Sequence, residues 1–147
     1  MYFELLLYNV KTPANVGSIY RLAHQFDCKK IYTYRSSLPS KTNTYRIERR
    51  VDVVALDSMD FLKDFGTIKI AVETGGTHVN PLAMLPKILV DSGMLIAVGN
   101  ESLGISEEHL KLFDYIYTLR AVKQESYNVS HALAIALYSM FNDYGWR

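Results

Sequence analysis

Short apolar and aromatic runs recur along the chain at Phe3–Tyr8, Lys30–Tyr34, Ile68–Glu73, Met94–Val98 and Tyr115–Leu119, with a weaker one at Val51–Leu56. These runs are nearly continuous rather than alternating, the mark of strands covered on both faces. Helical spacing fills the gaps. Thr12 as a cap and Pro13 in a first turn predict a helix beginning between Pro13 and Val16, with Val16, Ile19, Tyr20 and Ala23 on one side. Asp57 or Ser58 caps a short helix over Ser58–Phe65. Ser106, followed by Glu107 and Glu108, starts another that runs through Leu112. The clearest helix is Val129–Tyr144, where Ala132, Ile135, Ala136, Ser139 and Met140 recur at helical spacing and small residues permit close packing. Strands alternating with helices predict an α/β fold with a largely parallel sheet. Ser36–Arg50 and Gly75–Pro86 have no clear period and read as connections. No repeat or linker divides the chain, so residues 1–147 read as one domain.

Composition adds bounds. A chain of 147 residues, 49% hydrophobic and 21% charged, can bury a sizeable core. No apolar run approaches the roughly 20 residues needed to span a bilayer. The first eight residues contain Glu4 and no small-residue cleavage site, so they read as a strand rather than a signal peptide, and the cytoplasm is the default location. Cys28 is the only cysteine, which excludes an intrachain disulfide and disfavours a cysteine-based metal site. The glycosylation patterns at Asn100-Glu-Ser102 and Asn128-Val-Ser130 read as chance matches without a secretory signal.

The net charge of +1 hides an uneven distribution. Residues 29–50 hold Lys29, Lys30, Arg35, Lys41, Arg46, Arg49 and Arg50 against a single acid, Glu48, which leaves the rest of the chain at −5. Basic side chains interleaved with Tyr32, Tyr34 and Tyr45 suit phosphate contacts plus base stacking. A solvated loop is the plain alternative.

Three segments place polar residues and glycines after strands, where open α/β sheets bind ligands. In Asn15-Val-Gly17-Ser-Ile-Tyr-Arg21 the arginine lies six positions after the asparagine, more than one turn, so the two need not share a face; Arg21 also reads as a snorkelling side chain at a helix boundary. Gly99-Asn100-Glu101-Ser102-Leu103-Gly104 lacks the middle glycine of a dinucleotide fingerprint and the Gly-Lys-Ser/Thr of a P-loop. Its acid is a poor phosphate cradle and suits a cofactor with hydroxyls or amines, an arginine partner, or plain solvent. Ser126-Tyr127-Asn128-Val129-Ser130 can cap the last helix and also present hydroxyls and an amide.

In order and approximate spacing the three segments resemble the three motifs of the SpoU (TrmH-like) branch of the SPOUT α/β-knot RNA methyltransferases: Asn-x-Gly-x-x-x-Arg, Gly-x-Glu-x-x-Gly and Ser-Leu-Asn-Val-Ser. They begin here at Asn15, Gly99 and Ser126 and span nearly the whole chain. The resemblance implies a parallel sheet with helices on both faces and a C-terminal deep trefoil knot, S-adenosylmethionine as cofactor, no metal, and a homodimer through the C-terminal helix with an active site shared across subunits. It implies methylation of a ribose 2′-hydroxyl of tRNA or rRNA. Carried over by position, Arg21 matches the catalytic arginine, and Asn15, Glu101, Ser126 and Asn128 match the other catalytic-site positions. The cofactor would lie against Val72, Glu73, Thr74, Gly99, Asn100, Glu101, Gly104, Ile105, Thr118, Leu119, Ser126, Asn128 and Val129. Lys41, Arg46, Arg49 and Arg50 would contact RNA.

The pattern has departures. The family's Ile-Pro-Met falls near Thr118-Leu119-Arg120, without the proline; Tyr127 stands where Leu or Met is common, and Glu73 where Thr is frequent. The separate N-terminal RNA-binding extension of many relatives is absent from this sequence, so it resembles the minimal members, some of which act on the anticodon wobble ribose. A competing reading is a non-enzymatic RNA-binding or assembly factor that keeps the knot fold. A dinucleotide-dependent oxidoreductase is disfavoured by the missing glycine fingerprint.

Overall fold

A computed structural model of the chain describes residues 2–40, 50–77, 92–123 and 125–144. The described strands are β1 (Phe3–Tyr8), β2 (Lys30–Tyr34), β3 (Asp52–Leu56), β4 (Ile68–Thr77), β5 (Met94–Val98) and β6 (Tyr115–Tyr117). They form one sheet in the order β3-β2-β1-β5-β4-β6, and every pairing is parallel. Helices α1 (Pro13–Gln25), α2 (Glu107–Leu110) and α3 (Val129–Tyr144) and a 3-10 helix (Met59–Asp64) cover it.

The continuous apolar runs have the expected cause. Phe3, Leu5 and Leu7 of β1, with Met94, Ile96 and Val98 of β5, point into a core shared with Val16, Ile19, Tyr20 and Ala23 of α1 and Leu133, Ala136, Leu137 and Met140 of α3. The alternate residues Leu6, Tyr8, Leu95 and Ala97 point the other way, onto Met59 and Leu62 of the 3-10 helix and onto Ile105. All five residues of β5 are buried. Period two therefore persists in direction while both directions are apolar.

Several boundaries differ from the sequence reading. β4 runs on to Thr77, β6 stops at Tyr117, and α2 ends at Leu110 rather than Leu112. The Ser58–Phe65 helix is a 3-10 helix, capped by the Ser58 hydroxyl accepting from the Asp60 N–H. Thr12 makes no side-chain cap on α1; its backbone N–H is engaged elsewhere, as described below. The buried face of α3 is Leu133, Ala136, Leu137, Met140 and Phe141, whereas Ile135, expected on the packed side, is 43% exposed.

Strand order positions the site. The chain leaves β1 toward β2 on one side, and leaves β5 toward β6 on the other. The segments after these neighbouring strands diverge, leaving a crevice at their carboxyl ends. Residues 36–40 are fastened beside it. Ser36 Oγ donates to the Leu7 carbonyl (2.9 Å), Ser37 N to that of Val10 (2.8 Å) and Ser40 N to that of Pro13 (3.3 Å). Ser40, the last described residue before the basic segment, thus lies next to the first turn of α1. Lys41, Arg46 and Arg49 lie outside the described residues, and Arg50 is exposed in a turn before β3. The path of residues 78–91, on which the expected knot in part depends, lies outside them as well.

Candidate active site

The segment after β5 folds back on itself. Asn100 and Gly104 exchange backbone hydrogen bonds (3.2 and 2.9 Å), closing a tight loop whose tip is capped by Asn100 Oδ1 accepting from the Ser102 and Leu103 N–H groups (both 3.0 Å). Asn100 Nδ2 ties this loop to the end of β1 by donating to the Asn9 carbonyl (2.7 Å). Backbone space requires the first glycine, and a left-handed φ of +64° favours the second. A Cβ on Gly99 would stand 2.6 Å from the Gly104 carbonyl carbon, and one on Gly104 would stand 2.1 Å from Glu73 Oε2. That Glu73 oxygen accepts the Ile105 N–H at 2.7 Å, and the Glu73 carbonyl accepts from Thr118 Oγ1 at 2.8 Å. The ends of β4, β5 and β6 are thereby stitched together.

Glu101 faces the segment after β1. Its carboxylate accepts the Thr12 N–H (2.8 Å), the Lys11 N–H (3.2 Å) and Asn15 Nδ2 (3.3 Å). Asn15 Oδ1 in turn accepts from Asn128 Nδ2 (3.1 Å), and Asn128 Oδ1 accepts from the N–H (3.0 Å) and hydroxyl (2.7 Å) of Ser130, capping α3. One chain of side-chain hydrogen bonds, Glu101–Asn15–Asn128–Ser130, thus joins all three sequence motifs. Partial burial works against ionisation of Glu101, but the N–H groups of Thr12, Glu101 itself and Lys11, together with the Asn15 amide, outweigh it and hold the carboxyl down to about 2.

The linkage has a definite sign. A carboxyl whose folded value lies below its unfolded value of about 4.3 stabilises the fold above that value and loses the contribution as pH falls toward about 2. Melting temperature is expected to drop between about pH 4.5 and 2, and to drop less steeply in Glu101→Gln, by the uptake of about one proton. Equal slopes in thermal melts of the two proteins would remove this assignment.

Beside the relay lies an open cleft of about 810 Å³, its mouth included, lined by Val72 and Glu73 of β4, Val98–Gly104, Thr118 and Leu119, Glu125–Tyr127, and Val129 and Ala132 of α3. Its mixture of aliphatic walls with carboxylates, hydroxyls and carbonyls suits a ligand that has both an apolar ring and hydrogen-bonding groups.

The profile of the SpoU rRNA Methylase family matches residues 2–138. The chain belongs to the SpoU rRNA methylase family. A search of curated protein sequences gave no match. Among solved structures, a protein ascribed to the TrmH family of RNA methyltransferases from Porphyromonas gingivalis is 25% identical, with a TM-score of 0.80; the match covers 98% of this chain and 59% of that one. The SpoU methyltransferase AviRb from Streptomyces viridochromogenes is 18% identical over 97% of this chain and 60% of its own, with a TM-score of 0.79. The chain spans about three fifths of the length of these two relatives. A third structure, described by the 2-OH methylation of C/U34 on tRNA, is 23% identical, is matched over 96% of this chain and 95% of its own, and has a TM-score of 0.78.

Against the SpoU pattern, the residues expected at the cofactor divide. Val72, Glu73, Gly99, Asn100, Glu101, Gly104, Thr118, Leu119, Ser126 and Val129 line the cleft, and Thr74 lies in β4. Two others do not line it. Ile105 is buried in the core behind the loop, its N–H on Glu73, and the Asn128 side chain is turned to Asn15 and Ser130. Glu101 finds backbone N–H groups and Asn15 as partners rather than an arginine. Arg21 stands exposed on α1 and is not among the residues lining the cleft. Ser102, Leu103 and Tyr127, inside the Gly99–Gly104 and Ser126–Ser130 segments, line it too, whereas sequence reasoning missed Val98, Glu125 and Ala132. Adjacency could have found these, because Val98 precedes Gly99, Glu125 precedes Ser126, and Ala132 is one turn beyond Asn128.

Proposed function

We propose that the chain is an S-adenosylmethionine-dependent RNA methyltransferase that acts on a ribose 2′-hydroxyl of tRNA or rRNA as a homodimer with the knotted SpoU fold. The observation that supports this most is the relay Glu101–Asn15–Asn128, which converges the three family motifs on the rim of a cleft. Relatives of the same fold are described in complex with AdoMet, from Streptomyces viridochromogenes and Sinorhizobium meliloti. The cleft fits such a cofactor in kind. Val72, Leu119, Val129 and Ala132 offer apolar surface for an adenine ring, while Glu73, Glu125 and Ser126 offer acceptors for ribose hydroxyls or an ammonium.

When bound, S-adenosylmethionine supplies an electrophilic methyl on a sulfonium, and transfer from it needs no metal. The protein's part is then placement. Glu101 holds the segments after β1 and β5 in one register, and Ser126 stands at the mouth of α3 where the acceptor would approach. A guanidinium offers donors and no acceptor, so Arg21 acts by orienting a phosphate or the ribose hydroxyl rather than as a base. Its exposed position on α1 suits a site completed by a second subunit. Ile135 and Tyr138 (57% exposed) on α3, beside Phe26 and Ala134, supply an apolar surface for that pairing. The exposed Arg50 and the basic segment 41–49, entered from the fastened residues 36–40, would add RNA contacts.

The test is incubation of purified protein with labelled S-adenosylmethionine and total RNA, followed by mapping of methylated ribose. Arg21→Ala is expected to lower transfer by about 10²-fold or more with melting temperature and cofactor affinity unchanged. Full transfer by that variant would sink the catalytic role. RNA binding without any methyl transfer would favour the assembly-factor reading instead.

A further inference from the structure

One wall of the cleft is a ribbon of chain between β6 and α3, and every described residue from Arg120 to Asn128 in it is exposed. Its two ends are anchored. Thr118 donates from Oγ1 to the Glu73 carbonyl (2.8 Å), and Asn128 is held by Asn15 and Ser130. Between those anchors the sequence has no proline to lock a φ angle, and a free loop of this length samples many shapes. Yet Glu125, Ser126 and Tyr127 line the cleft and must keep their places if anything is to bind there.

The Tyr127 hydroxyl spans the ribbon and donates to the Arg120 carbonyl at 2.8 Å, while its ring, 40% exposed, forms part of the cleft wall. We propose that Tyr127 is a positioning residue, a latch whose hydroxyl, through the Arg120 carbonyl, holds Glu125, Ser126 and its own ring in their cofactor-binding places. This rests on the reading of the cleft as the S-adenosylmethionine site. The latch acts on affinity: an unlatched ribbon must be ordered again each time the ligand binds, and that cost is subtracted from the binding free energy. At saturating cofactor the bound ligand itself holds the ribbon, Ser126 included, in its binding shape, so the chemical step changes little. Tyr127, which stands where Leu or Met is common, is thus hydrogen-bonded to Arg120, which falls near the methionine of the family's Ile-Pro-Met.

Tyr127→Phe keeps the ring and removes only the hydroxyl. Its dissociation constant for S-adenosylmethionine, by calorimetry on the full chain, is expected to rise about three- to tenfold. In turnover KM for the cofactor should rise by a similar factor while kcat at saturation stays within about twofold. The Arg120 carbonyl that Tyr127 holds is the one trypsin must attack to cut after Arg120. Cleavage of the ligand-free variant there is therefore expected to be several-fold faster than in the parent, with melting temperature unchanged. Tyr127→Ala, which also removes the ring, should weaken cofactor binding further. Unchanged affinity and unchanged cutting after Arg120 in Tyr127→Phe would overturn the latch. Because the tryptic comparison needs no ligand, it still decides the matter if the parent proves not to bind S-adenosylmethionine, a result that would sink the functional reading instead.

Discussion

Gly104→Ala is expected to lose about 2–4 kcal/mol of folding stability and most of the protein's affinity for S-adenosylmethionine. Three effects combine. Gly104 has φ +64°, a left-handed conformation that costs an L-residue roughly 1–2 kcal/mol. The added Cβ would stand 2.1 Å from Glu73 Oε2 and 2.7 Å from its carboxyl carbon, so that flexible side chain must swing away. When it does, the Ile105 N–H loses its 2.7 Å acceptor in a residue only 4% exposed, at about 1–3 kcal/mol. Against a total stability of about 5–15 kcal/mol the loss is large. Urea titration should show a lower midpoint at unchanged slope, and calorimetry should show weakened cofactor binding. Gly66→Ala is the control, since its Cβ would meet nothing within 4 Å, and it should be near neutral. A Gly104→Ala protein as stable as that control would mean the loop is not packed as described.

The second large effect falls on the relay. In Glu101→Gln one oxygen becomes an NH2 group facing N–H donors, so at least one of Lys11, Thr12 and Asn15 loses its acceptor. Methyl transfer is expected to fall about 10²-fold, because Asn15 is then free to turn and the segments after β1 and β5 lose their common register. Stability should fall by only about 1–2 kcal/mol, the site being partly solvated. The discriminating measurement is a double-mutant cycle on methyl transfer between Glu101→Gln and Asn128→Ala. Each of these residues is hydrogen-bonded to the Asn15 amide, so their effects should be non-additive by more than about 0.5 kcal/mol. Strict additivity would mean that the hydrogen-bonded chain has no functional coupling.

Much of the architecture was legible along the chain because burial on both faces of a parallel sheet leaves continuous apolar runs, and these mark β1, β2 and β5 to the residue. The buried stripe of α1 was legible for the same reason, at period 3.6. Boundaries set by hydrogen bonds at a distance were not. The Thr12 N–H answers to Glu101, 89 positions away, rather than to a local cap. Ile105 looked like a cleft residue because it follows Gly104, yet the turn at Gly104 directs its side chain into the core. Among the RNA-contact residues Lys41, Arg46 and Arg49 lie outside the described residues, and charge distribution alone speaks for them.

The sequence by itself determined the strands and helices, the three motifs and the glycines that a tight loop needs, since local period and local sterics act between neighbours. Tertiary structure alone decided which motif residues meet. Asn15 and Glu101 are 86 positions apart, and Asn15 and Asn128 are 113 apart. They touch because β5 inserts directly beside β1, bringing the segments after both strands to one crevice where α3 begins. Strand order is settled by the packing of the whole sheet, and no local pattern encodes it. The pairing of Tyr127 with Arg120 needed the fold too, since it depends on how the ribbon turns between its anchors at Thr118 and Asn128.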